Sequence, residues 1–203
     1  AEPALKRWTY AEYLAIEAES DQKHEFCDGV VLPLIVAMAG GTAAHADLCM
    51  QVGIAIGTQL RGRPCRPYTS DLKVIIWTTS LATYPDISVI CGPIESAPHD
   101  PHNATNPTVL VEVLSPSTEA YDRGEKFSHY RRLPTLQNYV LVSTQRAQIE
   151  VFHRAAEGQW VLSVAGPGER VAVRSLGLDL VVDEIYEGVT LAPPTPRRAL
   201  PGA

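Results

Sequence analysis

The sequence predicts a mixed α/β fold, in which helices flank a mixed central β-sheet. Apolar, β-branched runs typical of strands occupy much of the 203-residue chain, and segments with helical periodicity precede and follow the most apolar run. Strands interspersed with helices in this way are typical of a sheet covered by helices. A chain of this length suits one domain, which we place at residues 1–191, followed by a Pro-rich tail over 192–203.

The first predicted elements are a helix, a hairpin and a second helix. Thr9-Tyr10-Ala11-Glu12 is a capping box, so a helix is predicted from about 10 to 18. The Asp28-Gly29 pair is a strong hairpin-turn signal between two short strands. After Gly-Gly-Thr, apolar residues spaced four apart predict a helix over about 43–60.

The rest of the chain is predicted to be mainly strands. A long loop is expected over 92–107, a helix from 119 or 121 to 132, and a final helical turn over 182–186 that Asp183 caps. Further strands are predicted over 72–77, 86–91, 109–114, 138–142, 148–153, 160–164 and 170–173.

Composition narrows the class of protein. The chain is 45% hydrophobic and 20% charged with a formal charge of −6, which is typical of a globular protein and argues against a protein that coats nucleic acid non-specifically. The longest apolar run is about half of the ~20 residues that a membrane helix needs, so no membrane association is expected. The four cysteines are widely spaced, so we expect reduced thiols and a cytoplasmic location.

Glu112 is the residue that most needs an explanation. It interrupts the apolar run Val109 to Leu114, which lies between two prolines and has the pattern of a fully buried strand. A buried carboxylate without a partner costs several kcal/mol or more. We therefore expect Glu112 to be paired, protonated or bound to a metal.

Two other residues can complete a site with Glu112. Asp86 begins the preceding strand, and a helix directly after the Glu112 strand places Asp122, Lys126 and Tyr130 on one face. Two carboxylates suit a hard cation such as Mg²⁺, and a nearby lysine can orient or deprotonate water or stabilise charge on a phosphoryl group. The alternatives are a buried ion pair between Glu112 and Lys126, and an Asp86 that only accepts backbone amides.

Several segments resemble the Uma-two family, which belongs to the PD-(D/E)XK nuclease superfamily. They are HEFCDG, AMAGGTAAH, SDLKV, TYPDISVI and EVLSPSTEAYDRGEKFSHYRRLPTLQNYVLV. The similarity runs in order from about Thr9 to Tyr186, and its last segment is the most specific part. It implies a restriction-endonuclease-like fold, endonuclease activity on DNA, a Mg²⁺ or Mn²⁺ cofactor and, by analogy with double-strand cutters, a homodimer.

The resemblance also implies roles for the central residues. Asp86 matches the aspartate of the PD motif and becomes a metal ligand, as does Glu112, with the peptide carbonyl of Val113 as a further ligand. The chain departs from the superfamily motif at Leu114, where a lysine is expected. In this family the lysine stands on the following helix, at the position of Lys126.

Five further residues are weaker candidates, of which Glu25, His45 and Asp71 match the family. Glu25 is expected to complete the metal's shell, unless it forms a surface ion pair with Lys23. His45 is expected to contact phosphate or act near the site, or to have a structural role. Asp71 is expected to be structural rather than catalytic. Asp122 and Tyr130 are expected to orient Lys126, although Tyr130 also suits the core.

Basic residues that could meet a phosphate backbone are Arg61, Arg63, Arg66, Arg123, Arg131 and Arg132. The alternative is an ordinary solvated surface, and nothing in the sequence resembles a known DNA-reading motif. Two other functions remain open beside a DNA endonuclease. One is a non-catalytic interaction module that kept the nuclease fold, and the other is a hydrolase of small phosphoesters.

Overall fold

The computed structural model describes residues 6–33, 42–98 and 100–191. Its first helix, α1 (Tyr10–Glu19), begins with the predicted capping box: the Thr9 side chain accepts from the Glu12 amide, and the Glu12 carboxylate accepts from the Thr9 amide. The Asp28-Gly29 turn then joins strands β1 (His24–Cys27) and β2 (Val30–Pro33), as predicted. Residues 34–41, which follow this hairpin, lie outside the described residues, as does the predicted tail over 192–203.

The remaining elements alternate between strands and short helices. They are α2 (Ala43–Gln59), β3 (Cys65–Thr69), β4 (Lys73–Ile76), β5 (Leu81–Thr83), β6 (Ile87–Cys91), β7 (Asn103–Ala104), β8 (Val109–Leu114), α3 (Glu119–Tyr121), a π-helical turn (Asp122–Lys126), α4 (Phe127–Tyr130), β9 (Asn138–Ser143), β10 (Ile149–Arg154), β11 (Trp160–Ala165), β12 (Arg170–Val173), β13 (Leu178–Val181) and α5 (Val182–Ile185). The π-helical turn continues α3 into α4, and we call these three consecutive segments the Lys126 helix.

The strands form two larger sheets and one hairpin. A six-stranded sheet has the order β11-β10-β9-β8-β6-β3, and a five-stranded sheet has the order β2-β1-β5-β4-β7. In the first sheet β8 and β9 are parallel and the other neighbours are antiparallel. The prediction of a mixed sheet with flanking helices is therefore confirmed. Strands β12 and β13 form the separate hairpin.

Strand β8 is buried on both faces, and its side chains alternate between two cores. Val109, Val111 and Val113 pack in a core that includes residues of α2. Leu110 and Leu114 face the opposite way, into a core shared with the Lys126 helix and the five-stranded sheet. Because side chains alternate along a strand, Glu112 points into this second region. The prediction of a fully buried strand around Glu112 is confirmed.

Three local predictions need correction. The predicted loop over 92–107 contains the short strand β7, which pairs with β4 in parallel. The last helical turn begins after Val181 without a side-chain cap, since Asp183 lies inside its first turn and accepts a hydrogen bond from the Gly168 amide. Strands β3, β5 and β13 are short elements that the sequence analysis did not predict.

The prediction that all four cysteines are free thiols is wrong for two of them. Cys65 and Cys91 form a disulfide, because β3 and β6 pair antiparallel in a register that sets these two residues opposite each other. Cys27 and Cys49 are free. The expectation of a cytoplasmic location loses the support of fully reduced cysteines. Among the described residues, no helix is long and apolar enough to cross a membrane.

Candidate active site

Asp86 and Glu112 are brought together by the pairing of β6 with β8. The register sets Ile87 opposite Val111, and hence Asp86 opposite Glu112. The Asp86 amide lies 3.4 Å from Glu112 Oε2, and the Val113 amide donates to Asp86 Oδ2 at 2.7 Å. The pairing of the two strands therefore brings Asp86 and Glu112 together, as predicted.

Lys126 reaches the same place from the helix that follows β8. Its ammonium Nζ lies 2.9 Å from Glu112 Oε1, 3.5 Å from Asp122 Oδ1 and 3.8 Å from Glu25 Oε1. The side chain is buried, with 6% of its surface exposed. The lysine that the superfamily motif expects at Leu114 is therefore absent from the strand, while the ammonium of Lys126 occupies the space beside Glu112.

Glu112 is held by two groups on one of its oxygens. Tyr130, which is fully buried, donates its hydroxyl to Glu112 Oε1 at 2.7 Å, and Lys126 contacts the same oxygen. The other oxygen, Oε2, faces Asp86. Tyr130 therefore contacts Glu112 directly, rather than orienting Lys126 as expected, and its ring also packs in the core, as the alternative expectation stated.

The site contains more negative than positive side chains. The carboxyl groups of Glu25, Glu112 and Asp122 are each at most 7% exposed, and Asp86 lies beside them. Burial raises the pKa of Glu112 to about 8, and Asp122 and Asp86 oppose its ionisation further. Burial likewise raises the pKa of Asp122. Like charges at close range resist ionisation together, so a cation at this position would be stabilised by all four groups.

Lys126 is the main positive charge in this cluster. Burial alone would lower the pKa of Lys126, but the carboxylates of Glu112, Asp122 and Glu25 outweigh it, so the pKa lies above its ordinary value. The lysine is therefore an ammonium ion at neutral pH. In this state it can donate hydrogen bonds and stabilise negative charge, but it cannot accept a proton.

His45 approaches Asp86 from the first turn of α2, which Thr42 caps by accepting from the His45 amide. Nε2 of His45 lies 3.4 Å from Asp86 Oδ2, while Nδ1 lies 3.6 Å from the Cys49 sulfur. A hydrogen bond to Asp86 raises the pKa of His45, and a hydrogen bond to the backbone of Val113 adds to this effect. The imidazole therefore contacts two of the groups predicted to hold a metal.

These groups line one cleft of about 600 Å³. It is lined by Glu25, Leu32, Pro33, His45, Ala46, Ser70, Tyr84, Asp86, Glu112, Val113, Ser115, Ser117, Thr118, Tyr121, Asp122 and Lys126. Carboxylate and backbone oxygens are the ligands that Mg²⁺ and Mn²⁺ prefer. Asp86, Glu112 and Glu25 offer oxygens of this kind, and the surplus of buried carboxyl groups favours a cation.

Comparison with known protein families identifies the family of this chain. The sequence pattern of the Uma2 family, described as "Putative restriction endonuclease", matches residues 10–183. This chain belongs to the Uma2 family. The resemblance found in the sequence is thereby confirmed.

Two relatives come from Synechocystis sp. (strain ATCC 27184 / PCC 6803 / Kazusa). "Uncharacterized protein slr1290" is 39% identical over 178 residues, which cover 88% of this chain and 90% of the relative. "Uncharacterized protein sll1609" is 30% identical over 155 residues, which cover 76% and 85%.

The solved structure of another protein has a fold similar to that of this Uma2 protein. It is the crystal structure of "a putative nuclease belonging to DUF820" from Anabaena variabilis ATCC 29413, with a TM-score of 0.69 and 18% sequence identity. The likeness covers 87% of this chain and 96% of the other. The predicted restriction-endonuclease-like fold is confirmed. Family and fold together are those of restriction-endonuclease-like nucleases.

Two weaker candidates lie in different surroundings. Asp71 is exposed, forms an ion pair of 2.7 Å with Lys23 and does not line the cleft. Glu25 is buried, so the alternative of a surface ion pair between Glu25 and Lys23 is wrong. Its partners are the hydroxyl of Thr83, the hydroxyl of Tyr121 at 3.1 Å and the ammonium of Lys126.

Two of the candidate arginines for phosphate binding are already engaged. Arg123 forms a two-pronged pair with Glu150 and also contacts Glu119, and Arg63 donates to the Leu176 carbonyl. Arg61, Arg66, Arg131 and Arg132 are exposed.

Thr83 and Tyr121 hold Glu25 in place and were not predicted from the sequence. Tyr121 lies beside the site because the π-helical turn brings residues five apart together, and no sequence signal marks that turn. Thr83 carries no signal either. It reaches Glu25 because β5 pairs with β1, and that pairing has no local sequence cue.

Proposed function

We propose that this Uma2 protein is a metal-dependent endonuclease that hydrolyses phosphodiester bonds of DNA. The observation that carries the proposal is the buried contact of 2.9 Å between Lys126 and Glu112, next to Asp86 on the paired strand. A purely structural ion pair needs one carboxylate. Here Glu25 and Asp122 also lie beside the lysine, and Asp86 lies beside Glu112, and this excess of carboxyl groups favours a further cation.

In this proposal the protein oxygens hold one Mg²⁺ or Mn²⁺ ion. Asp86 and Glu112 would supply carboxylate oxygens, Val113 its peptide carbonyl, and Glu25 a contact through water. When bound, such an ion supplies a polarised water and stabilises charge on a phosphoryl group. Tyr130 keeps Glu112 oriented by occupying Oε1, so that Oε2 stays turned toward Asp86.

The proposed role of Lys126 follows from its charge. Because its pKa is raised, it acts as a donor that positions the attacking water and stabilises the negative charge that develops on the phosphoryl oxygens. A role as the base that deprotonates water is disfavoured. Asp122, 3.5 Å from the ammonium, positions the lysine within the cleft.

The proposal of DNA as substrate rests on the family description and on the cleft. The exposed residues Arg61, Arg66, Arg131 and Arg132 would meet the phosphate backbone, and double-strand cleavage would need two copies of the site. The homodimer therefore stays a prediction, as does the cytoplasmic location.

The proposal is tested by incubating the purified protein with plasmid, single-stranded DNA and RNA, in Mg²⁺, Mn²⁺ or EDTA. Glu112→Gln keeps the shape of the side chain but removes its charge, and Glu150→Gln is the matched control, because Glu150 is also buried in the same sheet but pairs with Arg123 outside the cleft. We expect metal-dependent cleavage of DNA by the wild type and the control only.

Other outcomes distinguish the remaining functions. Cleavage that is equal in wild type and Glu112→Gln refutes the assignment of the site. Metal binding that needs Asp86 and Glu112, without cleavage of any polymer, would support a hydrolase of small phosphoesters. Binding of DNA or protein without metal binding would support a non-catalytic interaction module.

A further inference from the structure

A second group of metal-ligating side chains lies between β1 and the Lys126 helix. Cys27 ends β1, and Glu125 and His129 stand four residues apart on the helix. One ligand atom from each of the three residues lies within 4.8 Å of the other two. These three residues have no role in the proposed endonuclease chemistry.

His129 has an unusual environment for a histidine beside solvent. Its Nδ1 atom is buried and has no hydrogen-bond partner among the described residues. Buried polar atoms are nearly always paired, because leaving one unpaired costs about 1–3 kcal/mol. The imidazole of His129 lies beside a thiol and a carboxylate, and its unpaired nitrogen is explained if the ring faces a ligand.

The three donors define the class of that ligand. A thiolate sulfur, an imidazole nitrogen and a carboxylate oxygen are the set that Zn²⁺ prefers, whereas Mg²⁺ takes oxygen alone. Zinc bonds of about 2.0–2.3 Å in tetrahedral geometry hold neighbouring ligand atoms roughly 3.5 Å apart. The three ligand atoms lie within 4.8 Å of one another, so small side-chain rotations suffice to reach this geometry. Exposed Glu125 leaves the site open to a water as fourth ligand.

We propose that Cys27, Glu125 and His129 form a zinc site that ties strand β1 to the Lys126 helix. On β1, Glu25 and Cys27 point to the same side, and on the helix Glu125 precedes Lys126 directly. The zinc ion would therefore fix the two elements whose inner side chains, Glu25 and Lys126, lie 3.8 Å apart in the cleft. The inference does not depend on the proposed nuclease activity, because it concerns separate ligands of different chemistry.

Binding also has a defined proton balance. Zinc binds the thiolate form of a cysteine, so the Cys27 thiol must lose its proton. The S–H bond breaks as the Zn–S bond forms, and the proton passes to the buffer. Calorimetric titrations in buffers of different ionisation enthalpy will therefore report the release of up to one proton for each zinc ion bound.

The test uses the full chain, titrated with Zn²⁺ by calorimetry and with Co²⁺ by absorption spectroscopy. We expect one equivalent of Co²⁺ to give a thiolate-to-cobalt charge-transfer band that Zn²⁺ removes. Cys27→Ser should abolish the band, and Glu125→Gln and His129→Ala should weaken Zn²⁺ binding at least about tenfold. Cys49→Ser is the matched control, since Cys49 is the other free, partly buried thiol, and it should keep the band.

Three results would overturn the proposal. They are the absence of Co²⁺ and Zn²⁺ binding by the wild type, a band that survives in Cys27→Ser, and a band that is lost in Cys49→Ser. Circular dichroism without metal checks that each variant is folded. If Cys27→Ser or His129→Ala unfolds, Glu125→Gln still tests the site, because Glu125 is exposed and its substitution should leave the fold intact.

Discussion

Replacing Lys126 by methionine removes one buried ammonium while it keeps most of the side-chain volume. Glu112 then loses the contact of 2.9 Å that offsets its burial. Removing one partner of a buried ion pair typically costs 3–5 kcal/mol, because the other charge is left uncompensated. The pKa of Glu112 lies at about 8 although Lys126 lowers it, so without the lysine the pKa rises further and Glu112 stays protonated at neutral pH. This protonation relieves part of the cost, and we expect the free energy of unfolding to fall by about 3 kcal/mol.

Lys73→Met is the matched control for this change. Lys73 is 4% exposed and forms an ion pair of 2.9 Å with Asp100, away from the cleft. Its loss should cost a similar 3–5 kcal/mol. Urea unfolding followed by circular dichroism measures both variants, and DNA cleavage in Mg²⁺ is measured under conditions where each is folded.

The two variants should differ in cleavage rate although their free energies of unfolding are similar. Loss of a group that stabilises transition-state charge lowers a rate by about 10²–10³-fold. We therefore expect this loss in Lys126→Met and a rate within about threefold of wild type in Lys73→Met. Equal cleavage rates in the two folded variants would refute the role of Lys126, and an unchanged stability of Lys126→Met would refute the buried ion pair.

Three further predictions follow from the same contacts. Tyr130→Phe removes the hydroxyl bond to Glu112 and should lower the free energy of unfolding by about 1–3 kcal/mol in urea denaturation; no change would argue against this bond. In metal-free protein, the pKa of Glu112 is about 8 in the folded state against an ordinary 4.5. As pH rises, the unfolded state therefore loses this proton at a lower pH than the folded state does, and the free energy of unfolding should fall between about pH 5 and about pH 9. Glu112→Gln should lack this component of the fall, and saturating Mg²⁺ should offset it; urea titrations that show the same pH slope in both proteins would contradict the raised pKa. Reducing the Cys65–Cys91 disulfide should lower the free energy of unfolding by about 3 kcal/mol, and a Cys65→Ala/Cys91→Ala protein should not respond to reductant in the same assay.

The central strand of the site could be predicted from the sequence because its signals are local. The run from Val109 to Leu114 is long, apolar and bounded by prolines, so a strand with a buried carboxylate at Glu112 needs no tertiary information. The helix after it begins within one turn of the strand's end. A lysine on the face of this helix that is turned toward the strand therefore lies close to Glu112.

The features that could not be predicted depend on contacts between distant segments. Cys65 and Cys91 meet only because β3 and β6 pair in one register. The burial of Glu25 depends on β5, a strand of three residues, which is too short to show a periodic pattern. The π-helical turn that ends at Lys126 has one more residue than an ordinary helical turn, and no hydrophobic periodicity in the sequence predicts it.

The most direct test of the candidate site is a Mn²⁺ titration of metal-stripped protein at pH 8, by calorimetry, with cleavage of DNA measured on the same samples. We expect Mn²⁺ to bind wild type and Cys27→Ser alike, and we expect Asp86→Asn and Glu112→Gln to lose at least about tenfold in affinity together with cleavage. Mn²⁺ binding of equal affinity in wild type and Glu112→Gln, with both folded, would contradict it.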